Sequence, residues 1–178
     1  MSTGSSSIVS TSAGASGVPR ILIVGYGNPL RCDDGLGWRA AEELARTMPS
    51  PHVEVIIRHQ LAPELADNLR RVDAVFFIDA TRGDQPGEVN CKPVLAQPWI
   101  PYGHECSPAA VLALAQQLYG ATPQAFAVTL CGECFDHGDA ISAPVEAGLP
   151  KLTALVKDLS SNLRKTPVSY QSIASAIP

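Results

Sequence analysis

The 178-residue chain is 46% hydrophobic and 17% charged, which is enough for one domain with a sizeable core and too short for two ordinary ones. With 13 Lys and Arg against 17 Asp and Glu, the formal net charge of -4 excludes a broad electrostatic attraction to nucleic acid or to an anionic membrane. Five cysteines, an odd number in a chain large enough to fold without cross-links, point to a reducing compartment.

Residues 1–18 are rich in Ser and Gly and lack both a basic start and an apolar run; they read as a disordered tail, not a secretion signal. No stretch approaches the roughly 20 apolar residues of a membrane span, so the expectation is a cytoplasmic protein without a membrane partner. Arg20-Ile-Leu-Ile-Val-Gly25 is a β-branched run of the kind buried on both faces of a sheet. Gly25-Tyr-Gly-Asn-Pro-Leu-Arg-Cys-Asp-Asp-Gly35 follows as a turn region, then an amphipathic helix from Leu36 to Met48 that Pro49 closes.

Val53 to Ile57 is a second strand, Pro63 to Arg71 a helix with Leu65 and Leu69 on one stripe, and Val72 to Asp79 a third strand. Val89 to Leu95 comes so soon after Asp79 that it reads as an antiparallel or edge strand. Ser107-Pro108 is an N-cap with proline at the first helical position, opening a helix to Leu118. Phe126 to Leu130 is a further strand, and Val145 to Leu163 a helix with Leu149, Leu152, Leu155, Val156 and Leu159 at helical spacing. Residues 166–178 have mixed polar composition and read as a loose tail. Strands alternating with helices make an α/β fold with a parallel sheet the economical solution for the single domain over residues 19–165.

In such a sheet, sites form beyond the carboxyl ends of the strands, where strand order reverses. With the second and third strands on opposite sides of the first, Asp33, Asp34 and Asp79 converge. Asp33 also has a plain reading as a helix cap. Asp34 and Asp79 are more informative, because carboxylates in one crevice repel unless a proton, a base or a cation lies between them. His104, in Tyr102-Gly-His-Glu-Cys-Ser-Pro108, completes an oxygen, oxygen, nitrogen set suited to a borderline transition metal with positions open for substrate.

His59 and Gln60 end the second strand and face the same crevice, whereas His52 and His137 read as surface loop residues. Cys131-Gly-Glu-Cys134 matches C-x-x-C but follows a strand with no second pair, and is read as structural. Gly25-x-Gly27 lacks the third glycine of a dinucleotide fingerprint, since Leu30 stands there. Neither a phosphate-binding Gly-Lys-Ser/Thr nor a G-x-S-x-G elbow occurs.

Taken together, Ile21-Leu-Ile-Val-Gly-Tyr-Gly-Asn-Pro-Leu-Arg-Cys-Asp-Asp-Gly-Leu-Gly37, Phe77-Ile-Asp-Ala80, the His104 segment and Leu130-Cys-Gly-Glu133 resemble the hydrogenase maturation endopeptidases. Those enzymes trim the C-terminus of nickel-iron hydrogenase large subunits after nickel insertion. The resemblance spans Arg20 to Leu163. It implies five mainly parallel strands with helices on both faces, with Gly25, Gly27 and Asn28 shaping the turn that presents the site. The metal-contacting and catalytic residues it implies are Asp34, Asp79 and His104.

The implied partner is a large-subunit precursor, and the implied metal is nickel held by the precursor's own thiolates, not stored by the enzyme. Where many members carry a Gly-Gly-Thr or Gly-Thr element after the second strand, this chain has Arg58-His-Gln-Leu61, a departure that bears on substrate choice. The reading from another class is a non-catalytic metallochaperone or checkpoint protein that recognises the loaded precursor without cutting it.

Overall fold

The computed structural model describes residues 17–97 and 106–163. The expected tails fall outside them apart from residues 17 and 18, and so does His104. Five strands form one sheet: β1 (Ile21–Tyr26), β2 (Val53–Arg58), β3 (Ala74–Thr81), β4 (Val89–Pro93) and β5 (Gln124–Cys131). Among the described residues four α-helices accompany it: α1 (Leu36–Thr47), α2 (Leu65–Leu69), α3 (Pro108–Tyr119) and α4 (Ala143–Leu163).

The strand order is β2-β1-β3-β5-β4. The β1, β2, β3 and β5 pairings are parallel and β4 runs antiparallel to β5, as its short connection to β3 requires. The sheet therefore reverses its winding between β1 and β3, which puts the chain leaving β1 and the end of β3 side by side.

Helices pack on both faces of the sheet, as expected for a three-layer α/β sandwich. On one face Ile21, Ile23, Phe76, Ile78, Phe126, Val128 and Leu130 pack under α1 and α4. The alternate residues Leu22, Val24, Val75, Phe77 and Ala125 pack under α2 and α3. Alternation of side chains along each strand produces the division, and both sets are apolar because the helices shield them from water. α1 presents Leu36, Ala40 and Leu44 one turn apart, and α4 presents Val145, Leu152, Val156 and Leu159, so helical periodicity turns one stripe of each to the sheet.

Local chemistry sets the helix ends. Ser107 caps α3 by accepting the Ala110 N–H at 3.2 Å, Pro108 occupies the first turn, and Gly120 closes the helix at φ 66°. α2 is shorter than its periodicity predicts. Leu65, Ala66, Asp67 and Arg71 bond three residues back, to Ala62, Pro63, Glu64 and Asn68, so tight turns take up both ends of the expected span. Among the described residues no helix is long and apolar enough to cross a membrane.

Candidate functional site

The site is built on the turn that leaves β1. Gly25 and Gly37 let α1 lie directly on the strand: a Cβ at Gly25 would overlap the Gly37 carbonyl oxygen, and one at Gly37 would stand 2.7 Å from the Ile78 carbonyl oxygen. Gly27 adopts φ +130°, a conformation that side chains resist. A Cβ there would overlap the Asp34 carbonyl oxygen and lie 3.6 Å from Asp79 Oδ1. The glycines of the first motif thus close the space between the two acid-bearing segments.

Asp34 and Asp79 flank this turn. Asp34 belongs to a short 3-10 turn, Cys32–Gly35, and its Oδ2 accepts the Asn28 N–H at 2.9 Å, which fixes the carboxylate against the turn. Asp79 lies in β3, and its Oδ1 accepts the Ala80 N–H at 2.8 Å. Both residues are half-buried. The described residues therefore bring together two of the three expected site residues. They contain no group of three His, Cys, Asp or Glu side chains arranged to hold a metal ion.

Tyr26 adds a contact that no spacing signals. Register pairs Gly25 with Ile78, so Tyr26 and Asp79 are lateral neighbours on the face beneath α2 and α3. The Tyr26 phenol donates to the Asp79 carboxylate. Burial first, then that negative charge and the hydrogen bond, push the phenol well above its ordinary range, so it remains a neutral donor at any pH at which the protein works. Tyr26→Phe removes one hydrogen bond to a charged acceptor. If Asp79 serves the reaction, the expected result is a loss of activity of about tenfold, with the fold retained, read from initial rates and a melting curve.

Trp38 secures the same turn from below. Its Nε1 donates to the Gly27 carbonyl at 2.9 Å and to the Arg58 carbonyl at 3.1 Å, tying the turn after β1 to the end of β2. His59 stands against the Trp38 ring, with centroids 4.8 Å apart. His59 directly follows the end of β2.

Asp33 is not a cap of α1. That helix is preceded by Gly35, and its N-terminus carries no side-chain cap. Asp33 is instead fully buried and clasps a segment about a hundred residues away. Its Oδ2 accepts the N–H groups of Glu133 at 2.8 Å and Cys134 at 2.9 Å and the Ser142 hydroxyl at 2.8 Å, while Oδ1 accepts the Ser142 N–H at 2.7 Å. Burial pushes this carboxyl up, but the hydrogen bonds from Cys134, Ser142 and Glu133 outweigh it and hold the group below its ordinary value. Ser142 also opens α4, accepting the Glu146 N–H at 2.9 Å, so the Asp33 charge sits at the positive end of a 21-residue helix.

Around this clasp Cys32 takes φ 48°, and its N–H bonds the Gly138 carbonyl at 2.7 Å. Its thiol lies against Cys134. That contact, burial, and the Cys134, Asp33 and Asp136 charges push it up to about 11. The C-x-x-C spacing thus pairs nothing: Cys131 ends β5, and the neighbour of Cys134 is Cys32.

No family model matches the sequence, and no curated protein matches it. Solved structures do match. The hydrogenase-maturating endopeptidase HybD from Escherichia coli superposes with a TM-score of 0.61 at 24% identity, over 77% of this chain and 89% of that one. The nickel-iron hydrogenase maturation protease HycI from Thermococcus kodakarensis gives a TM-score of 0.65 at 23% identity, over 82% and 95%. HybD from the same archaeon gives 0.58 at 24% identity, over 79% and 99%. This chain has the fold that several hydrogenase maturation proteases share.

Proposed function

We propose that this chain is an endopeptidase that removes the C-terminal extension of a nickel-iron hydrogenase large-subunit precursor after nickel insertion. The observation that carries the reading is the placement of Asp34 and Asp79 on either side of the Gly27 turn, at the β1–β3 reversal of a fold shared with maturation proteases of that kind. No nucleic acid and no membrane enters this reading.

In this reading nickel arrives as part of the substrate, bound by the precursor's thiolates. Two carboxylate oxygens are hard donors, and with a histidine nitrogen from His104 they form a mixed set that a borderline divalent ion accepts while thiolates fill its remaining positions. The ion then serves as a mark that insertion is complete and as a polarising charge beside the scissile carbonyl. Peptide hydrolysis needs water to add to the carbonyl carbon, its proton to be taken up, and the amine to leave protonated. A half-buried carboxylate at Asp34 or Asp79 supplies the base and returns the proton to the amine.

The Asn28 N–H on Asp34 and the Tyr26 phenol on Asp79 orient the two carboxylates before substrate arrives. In a host strain lacking this chain, the precursor is expected to accumulate at full length, and the wild-type chain restores the shortened subunit. Normal maturation in its absence contradicts the proposal. Restoration of stable complexes without shortening favours the checkpoint reading.

A further inference from the structure

Among the described residues, α2 and α3 cover only part of their face of the sheet. Packing against α3 involves Val75, Phe77 and Ala125, near the start of β5. Beyond them the same face turns polar. Asp79 is in register with Thr129 and Thr129 with Asn90, so a row of polar side chains crosses from β3 through β5 to β4. Thr81, Glu88, Asn90, Lys92, Thr129 and Cys131 line a cavity of about 520 Å³ there.

This surface differs from an ordinary solvated face in two ways. It is concave, and it is continuous in register with Asp79. Its lining carries the Asn90 amide, the Thr129 hydroxyl, the Lys92 ammonium and the Glu88 carboxylate, with Arg82 and Asp84 at its rim. An amide that both donates and accepts, flanked along the chain by Glu88 and Lys92, complements a peptide backbone with polar side chains.

We propose that this groove holds the segment of the precursor next to the scissile bond, as an extended polypeptide reaching from Asp79 toward β4. The inference rests on the endopeptidase reading above and adds to it the surface that selects the peptide. Asn90 and Lys92 are then specificity residues that touch substrate without entering the reaction. They act on binding and leave the chemical step alone.

The test uses the full chain and the nickel-loaded precursor. Asn90→Ala combined with Lys92→Glu is expected to raise KM at least about tenfold, equivalent to about 1.4 kcal/mol, with kcat within about twofold of wild type. Lys157→Ala, in the separate groove between α1 and α4, changes neither. A second measurement keeps binding apart from chemistry: an Asp79→Asn chain captured on a sensor loses affinity for the precursor when the groove substitutions are added. Thr129→Val, nearly isosteric within the strand, shows a smaller loss in the same direction and guards against a folding artefact.

Unchanged KM and unchanged affinity in the groove variants overturn the groove, while shortening by the wild-type chain leaves the endopeptidase reading standing. If the wild type does not shorten the precursor at all, that reading fails and takes the groove's assignment with it. A wild-type dimer in sedimentation that the same substitutions dissociate assigns the surface to a second copy and overturns the proposal.

Discussion

Asp79→Asn, and separately Asp34→Asn, slow shortening of the large-subunit precursor by about 100-fold or more, while the melting temperature stays within about 3 °C of wild type. Each substitution keeps an oxygen where the carboxylate had one. The Asn28 N–H still finds an acceptor at position 34, and the Ala80 N–H still finds one at position 79. Both residues are half-buried, so no large apolar contact is lost. What disappears is the negative charge, and with it both the base and the ligand for a divalent ion. Intact-mass kinetics beside a thermal melt separates these effects. Full activity in either variant removes that carboxylate from the site.

Asp33→Asn has the opposite signature, a loss of stability instead of chemistry. The buried carboxylate accepts four hydrogen bonds from Glu133, Cys134 and Ser142. An amide in its place turns one oxygen into a donor that faces other donors, and it leaves buried N–H groups unpaired. The expected cost is about 3 kcal/mol, read from denaturant unfolding at pH 7.

The pH dependence follows from the sign of the shift. The folded-state carboxyl is held below its ordinary value of 3.8. Its contribution is therefore complete above that value and is lost as pH falls through the lower folded value. Wild type should lose this share of stability on acidification below 3.8, and Asp33→Asn should lack that component. Equal stability of the two proteins at pH 7 would mean that the clasp is not formed.

The sequence makes the sheet legible because its strands are buried on both faces and so read as continuous apolar runs. The short Asp79–Val89 connection fixes β4 as antiparallel at an edge, and Ser107-Pro108 marks the start of α3 within a residue. Asp34 and Asp79 could be placed together on the condition that the second and third strands flank the first, a condition the strand order meets. Asp33 could not be read in the same way. Its partners lie 100 to 109 positions later, and an acid two residues before Gly35 looks like a cap until that distant loop folds over it. Tyr26 and Trp38 were hidden for a related reason, since a phenol at a strand end and an indole on a helix face read as core residues. Cys134 carried a misleading local signal, because C-x-x-C spacing drew attention to Cys131 when the fold sets the thiol beside Cys32.

The most direct test is the intact mass of the purified precursor after incubation with this chain, with nickel loaded in one sample and absent from the other. The account predicts loss of one defined C-terminal peptide from the loaded form and no change in the nickel-free form. An unchanged mass in both, with the loaded precursor shown to be folded, would contradict it.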